Sequence, residues 1–311
     1  MKAWSFTGTH QPLTAVEKPE PEVSGRNVKI RVLAAGLCHT DCGVLEDEKW
    51  LASIPHLPIT MGHEVAGVIE EIGPEVTAFK PGDRVAIWPM LETPGFVIDG
   101  GFGEKIVTTE DALVPVPDGM PIERAAAATD AGMTSQGALT RGGIKPGEKV
   151  GIIGLGGLGQ FAAQLVILNG ADLYVAEIKE ENWDYAHQLG AKKVVKDVAD
   201  LAGDALDLII DFAGFGTTTA GAIEAVGPGG RVVLVGMGKL EATINTYPMI
   251  IKKVDLRGSN GGSKEDIATV LDWMAQGKLV PKLETITWEQ IPEGLERLHR
   301  GEVNGRLVCL Y

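Results

Sequence analysis

The sequence predicts an α/β protein in two parts, a β-rich lobe followed by a doubly wound parallel sheet. Three observations carry this. The first third breaks into short apolar runs punctuated by Gly and Pro turns. From about residue 145, strands alternate with helices of roughly 10–15 residues. A glycine-rich turn, Gly154-Leu155-Gly156-Gly157-Leu158-Gly159, joins the first strand of that second part to its first helix.

In the first part, Val28, Ile30, Val32 and Ala34 alternate with Lys29 and Arg31, the period-two pattern of a half-buried strand. A second strand runs from Val65 to Ile72 and stops at Gly73-Pro74. The turn Pro81-Gly82-Asp83 feeds a third, Arg84 to Ile87. In the second part Lys149 to Ile153 is a strand, and Leu158 to Leu168 is a helix with Gly170 just past its end. Leu173 to Glu177 is the next strand, and the helix after it stops near Gly190. Leu206 to Asp211 and Arg231 to Val235 are further strands, separated by a helical stretch running to Val226. The alternation breaks around Gly258–Gly262. Ser263 with Asp266 three residues on resembles a capping box opening a helix to about Gln276, and Arg306 to Leu310 is a closing strand.

The 311 residues, 44% hydrophobic and 23% charged, suit one large or two medium globular domains. With 28 basic residues against 42 acidic, the formal net charge is −14, which opposes nucleic acid and anionic membrane surfaces as partners. No apolar run approaches the ~20 residues of a membrane helix. The opening residues Met1 to Phe6 lack the apolar region of a secretion signal, and three cysteines make no disulfide framework. A cytoplasmic protein is expected.

The glycine turn points to a dinucleotide. Gly154 permits the tight turn, Gly156 lets backbone approach a pyrophosphate, and Gly159 permits close packing of helix on strand. The helix start, Gly157-Leu158-Gly159, offers N–H groups to the phosphates. Glu177, at the end of the next strand, is placed to bind both ribose hydroxyls of an adenosine and to repel a 2′-phosphate, which predicts NAD. Lys179 supplies one positive charge nearby.

Cys38 and His63, on loops at neighbouring strand ends, offer the sulfur and nitrogen donors that zinc favours. On spacing alone, a buried cysteine and a packed histidine are the ordinary reading. The surrounding residues add more. Gly36-Leu37-Cys38-His39-Thr40-Asp41, Gly62-His63-Glu64-Val65-Ala66-Gly67 and Pro81-Gly82-Asp83-Arg84-Val85 resemble the zinc-dependent alcohol dehydrogenases of the medium-chain dehydrogenase/reductase family. The resemblance continues through Asp99-Gly100-Gly101-Phe102-Gly103-Glu104, the glycine loop and Asn304-Gly305-Arg306, over nearly the whole chain.

That resemblance implies a GroES-like catalytic domain, residues 1–131 and 262–311, with a Rossmann NAD-binding domain, 132–261, inserted between them. It implies one catalytic zinc held by Cys38, His63 and Asp130, the acid standing where relatives often carry cysteine. One thiolate and one carboxylate balance Zn²⁺; the other reading of Asp130 is a helix N-cap. Glu64 is then a second carboxylate beside the metal, and Asp41 orients the His63 ring. His39 and Arg306 are expected on the pyrophosphate, Thr134 near the nicotinamide, and Thr40 on the substrate hydroxyl. Trp50 and Trp88 are expected on the wall of the substrate pocket. The implied reaction is hydride transfer between a small alcohol, or the matching aldehyde or ketone, and NAD. A homo-oligomer, dimer or tetramer, is expected.

Three departures stand out. The segment Trp88 to Gly95 contains no cysteine, so the four-cysteine structural zinc of many relatives has no ligands here. Gly43 stands where relatives with this motif often have a proton-relay histidine, and a histidine placed there is expected to add an ionisation between about pH 6 and 7. His56 is the nearest other histidine in sequence after His39. Cys42 reads as a small core residue. Two alternatives share the fold: an NADH-dependent carbonyl or imine reductase, and a non-catalytic dinucleotide-binding relative.

Overall fold

The computed structural model describes all 311 residues and divides into two units, Met1–Met133 with Ser263–Tyr311, and Thr134–Gly262.

The first unit is built on a sheet whose strands run in the order Leu283–Thr287, Arg306–Leu310, Asn27–Leu37, Glu64–Ile72, Arg84–Ile87 and Leu113–Pro115. Lys105–Thr109 also pairs with Asn27–Leu37. The alternation read at Val28–Ala34 is the observed one: Val28, Ile30, Val32 and Ala34 are buried, while Lys29 is partly buried and Arg31 exposed. A second, three-stranded sheet joins Lys2–Phe6 to Thr14–Glu17 and Ile59–Thr60. Phe6, Ile30, Ile69, Ile87, Phe102 and Ile106 fill the core of this unit.

Register decides what gathers at one end of the main sheet. Leu37 pairs with Leu307, and Gly36 with Glu64. Cys38, Arg306 and the His63-Glu64 pair therefore emerge side by side at the ends of three adjacent strands. Helix Ile122–Ala127 lies against those strands, its Ala125, Ala126 and Ala127 fully buried, small side chains that let it approach closely. It runs on through a wider π-turn, Ala128–Gly132, into helix Met133–Gly142. Such π-turns inside helices occur often at functional sites, because they re-aim one side chain. Asp130 lies within this turn.

The second unit is a six-stranded, all-parallel sheet in the order Lys193–Val195, Asp172–Ala176, Lys149–Ile153, Leu206–Asp211, Val226–Leu234 and Asp255–Gly258. Numbered along the chain this is 3-2-1-4-5-6, the doubly wound order whose ligand crevice lies at the ends of the first and fourth strands. Val150, Ile152, Leu208, Ile209 and Ile210 have no exposed surface, as expected of strands covered on both faces. No helix of the structure is long and apolar enough to cross a membrane.

Candidate metal centre and dinucleotide loop

Cys38 ends the strand Asn27–Leu37 and begins the helix His39–Glu46. Its backbone N–H donates to Asp41 Oδ2 at 2.9 Å, which closes the helix start. The other oxygen of Asp41 lies 3.2 Å from His63 Nδ1. A fully buried carboxylate thus ties the cysteine turn to the imidazole and leaves Nε2 turned toward Cys38 and Asp130. On the other side, Gly62 takes a positive φ of 94°. Its carbonyl accepts from Gly101, and Met61's from Phe102, so the Asp99–Phe102 segment clamps the histidine loop.

Asp130 Oδ2 lies 3.5 Å from Cys38 Sγ and 3.8 Å from His63 Nε2. A tetrahedral zinc at ordinary bond lengths sets its sulfur and oxygen donors about 3.5 Å apart, and nitrogen and oxygen about 3.3 Å. The three groups fit such an ion. Together with Glu64, all four offer ligand atoms within 4.8 Å of one another. Burial disfavours a charged His63, yet the charge of Asp41 and hydrogen bonds to Asp130, Asp41 and Cys38 outweigh it and raise the imidazole well above its ordinary range. The anionic field that favours a proton on this ring favours a metal cation as well. Asp130 sits inside a continuous helical run rather than at its start, where Pro121 is the N-cap, so the N-cap reading of Asp130 does not hold.

The other expected residues fall in distinct places. The Thr40 hydroxyl is 3.6 Å from Cys38 Sγ, and His39 is exposed on the first turn of its helix. Arg306 faces inward, 2% exposed, onto Glu64 and Asp130. Trp50 packs against Phe96, ring centroids 6.4 Å apart, and the Phe96 ring meets His63 edge-on at 5.9 Å. Trp88 is half-buried and pairs its backbone N–H with Ala112. Phe96 is the residue that sequence reading missed. It lies in an irregular loop without periodicity, although an aromatic in the shortened Gly-Pro segment was a usable signal. His56 is exposed and lines a groove with Met1, Pro21 and Lys105, away from His63. Cys42 is buried, its Sγ 3.4 Å from the Leu295 carbonyl, as a core residue.

In the second unit, Gly154 has φ 84° and a Cβ at Gly156 would meet nothing within 4 Å, which leaves backbone open to a ligand. A Cβ at Gly159 would lie 1.8 Å from the Gly154 carbonyl oxygen, so helix Gly159–Leu168 starts hard against the turn. Gly157 and Leu158 complete the loop ahead of it. Glu177 accepts from the backbone N–H of Leu155 at 2.6 Å and of Lys179 at 2.8 Å. Its carboxylate is thereby fixed beside the glycine turn. Thr134 is buried at the edge of this unit.

A sulfur-nitrogen-oxygen metal site in one unit and a doubly wound sheet with a glycine turn in the other define a metal-dependent, dinucleotide-linked oxidoreductase. Comparison with known proteins narrows the class. Residues 24–118 match the alcohol dehydrogenase GroES-like domain family and residues 157–276 the zinc-binding dehydrogenase family. An alcohol dehydrogenase of Geobacillus stearothermophilus is 33% identical, covering 99% of each chain. The crystal structure of the alcohol dehydrogenase from Aeropyrum pernix superimposes with a TM-score of 0.93 at 30% identity, covering 100% of both chains. That of acetophenone reductase from Geotrichum candidum, in complex with NAD, gives 0.90 at 27% identity, covering 100% of this chain and 97% of that one. The chain belongs to the zinc-type alcohol dehydrogenases of the medium-chain dehydrogenase/reductase family. It is an oxidoreductase of alcohols and the matching carbonyl compounds.

Proposed function

We propose that the chain is an NAD-linked alcohol dehydrogenase with one zinc ion, held by Cys38, His63 and Asp130. The observation that carries this is the cluster of those three donors at tetrahedral spacing, with His63 aimed by Asp41. When bound, zinc supplies a Lewis acid that eases loss of the alcohol proton and polarises the carbonyl in the reverse direction. Thr40, its hydroxyl 3.6 Å from Cys38 Sγ, accepts the hydroxyl proton in this reading and passes its own onward. Phe96 and Trp50 form an aromatic wall beside His63 that restricts the substrate and keeps water from the reacting carbon. The open backbone at Gly156 and the helix start behind Gly159 take the pyrophosphate. Glu177 retains free lone pairs for ribose hydroxyls while its charge repels a 2′-phosphate.

A panel of primary, secondary and aromatic alcohols assayed with NAD and NADP, alongside metal analysis, tests the reading. It expects one zinc per chain, loss of zinc in Asp130→Asn, and a preference for NAD that narrows in Glu177→Ala. Two zincs per chain, none in active protein, or equal efficiency with both cofactors would overturn the corresponding part. We further propose a cytoplasmic homo-oligomer, dimer or tetramer. Tyr247, Ile250 and Ile251, each more than 60% exposed on one short helix, support self-association, and light scattering on the purified protein checks it.

A further inference from the structure

An alcohol oxygen can reach a metal only where the protein leaves a position open, and a catalytic zinc keeps three protein ligands for that reason. This site offers four. The sulfur, imidazole and two carboxylates of Cys38, His63, Asp130 and Glu64 all lie within 4.8 Å of one another, which puts a fourth protein donor within reach of the same ion. Something has to set one of them aside.

The structure supplies a group that does so. Arg306 Nε donates to Glu64 Oε2 at 3.1 Å, and its Nη2 meets Glu64 Oε1, so the guanidinium fork grips both oxygens. The same Nη2 also donates to Asp130 Oδ2 at 2.9 Å. Glu64 is fully buried, so the pair is shielded from solvent. The arginine itself is anchored: its backbone N–H donates to Lys282, and the next residue pairs with Leu37. A guanidinium stays charged at every accessible pH and matches a carboxylate with two parallel contacts. Asp130 Oδ2 also lies 3.5 Å from Cys38 Sγ and 3.8 Å from His63 Nε2, whereas both oxygens of Glu64 are drawn to Arg306.

We propose that Arg306 is a positioning residue that holds Glu64 off the metal and so keeps the fourth coordination position open to substrate. The proposal rests on the assignment of Cys38, His63 and Asp130 as ligands, and it gives Arg306 a task beyond any contact with the cofactor.

Cobalt(II)-substituted protein tests it without turnover. The visible bands of the bound cobalt report coordination, and imidazole serves as the added ligand for the open position. In the unmodified protein the bands shift on imidazole titration. In Arg306→Met the freed Glu64 occupies that position, and imidazole affinity falls about tenfold or more, the scale on which altered outer partners disturb a metal site. Combining Arg306→Met with Glu64→Gln restores the response. Equal imidazole affinity in Arg306→Met and the unmodified protein overturns the proposal. Should Arg306→Met fail to fold, Arg306→Lys carries the test, since an ammonium cannot grip both oxygens. A smaller loss that Glu64→Gln reverses supports the proposal, and no loss overturns it. Absence of a thiolate-to-cobalt band in the unmodified protein would instead refute the ligand assignment itself.

Discussion

Gly36 pairs directly with Glu64 across two strands, and the space where its side chain would stand is taken by the glutamate. A Cβ on residue 36 would lie 2.0 Å from Glu64 Oε2, 2.7 Å from Cδ and 2.9 Å from Cβ. Exposed side chains swing aside from such a clash. Glu64 is fully buried and gripped by Arg306, so it can move only by giving up that pair. Overpacking a core costs about 1–3 kcal/mol. Separating a buried ion pair costs about 3–5 kcal/mol, toward the low end here because Arg306 keeps Asp130. Gly36→Ala should therefore destabilise the protein by about 4–6 kcal/mol. Urea denaturation at one fixed zinc concentration measures this as a fall in midpoint. Glu64→Ala removes Oε2 and Cδ but keeps Cβ, 2.9 Å away, so adding Gly36→Ala to it should cost only the overpacking, about 1–3 kcal/mol. The coupling energy should reach about 3 kcal/mol, the ion-pair part of the cost and the top of the range for residues in contact. Costs that simply add, or a Gly36→Ala variant within about 0.5 kcal/mol of the parent, would show that Glu64 is not held as described.

Asp41→Asn should lower zinc affinity roughly 10–100-fold, the usual effect of losing the carboxylate behind a metal-binding histidine, as read by competition with a chromophoric chelator; unchanged affinity would separate Asp41 from the site. Burial pushes the Cys42 thiol up to about 12, aided by the nearby charges of Asp41 and Cys38, and burial likewise pushes Cys309 up to about 12. At pH 8 only about one molecule in 10⁴ then carries either thiolate, so iodoacetamide should leave both intact in the folded protein and label them after unfolding, as mapped by mass spectrometry.

The parallel sheet was legible because buried strands leave continuous apolar runs, and Lys149–Ile153 and Leu206–Asp211 fall where the sequence places them. The Ser263–Asp266 capping box opens helix Lys264–Ala275 as read. Short edge strands such as Lys193–Val195 and Thr14–Glu17 were not legible, since three or four residues with one open side leave no periodicity. The helix Ile291–His299 was missed despite its buried face of Ile291, Leu295 and Leu298, because a proline and a glycine interrupt its run. In the site, Cys38, His63 and Asp130 could be picked out through family motifs, but their convergence depends on strand register, which no local pattern encodes. Arg306 shows the limit most clearly. Its motif position pointed to a phosphate, whereas its partners in the structure come from residues 64 and 130, far away in sequence.

The same limit changes what a histidine at residue 43 should do. From sequence, Gly43 looked like a vacated relay position that a histidine could refill. In the structure the Trp50 indole lies against it: a Cβ there would stand 2.9 Å from Nε1 and 3.3 Å from Cε2. Trp50 in turn packs on Phe96, which meets His63 edge-on, so the indole cannot retreat without disturbing the wall of the site. His56, exposed in its own groove, does not supply the missing imidazole. Gly43→His alone should therefore cost stability and add no relay. Gly43→His with Trp50→Ala makes room, and the imidazole should then titrate between about pH 6 and 7. Only its neutral form accepts a proton, so kcat/KM for alcohol oxidation should rise through that ionisation and fall as pH drops below it. The comparison is between pH profiles of the single and double variants, with Trp50→Ala as the control for a widened pocket. A new ionisation in Gly43→His alone would mean that the indole yields freely, and that glycine at residue 43 is not what accommodates Trp50.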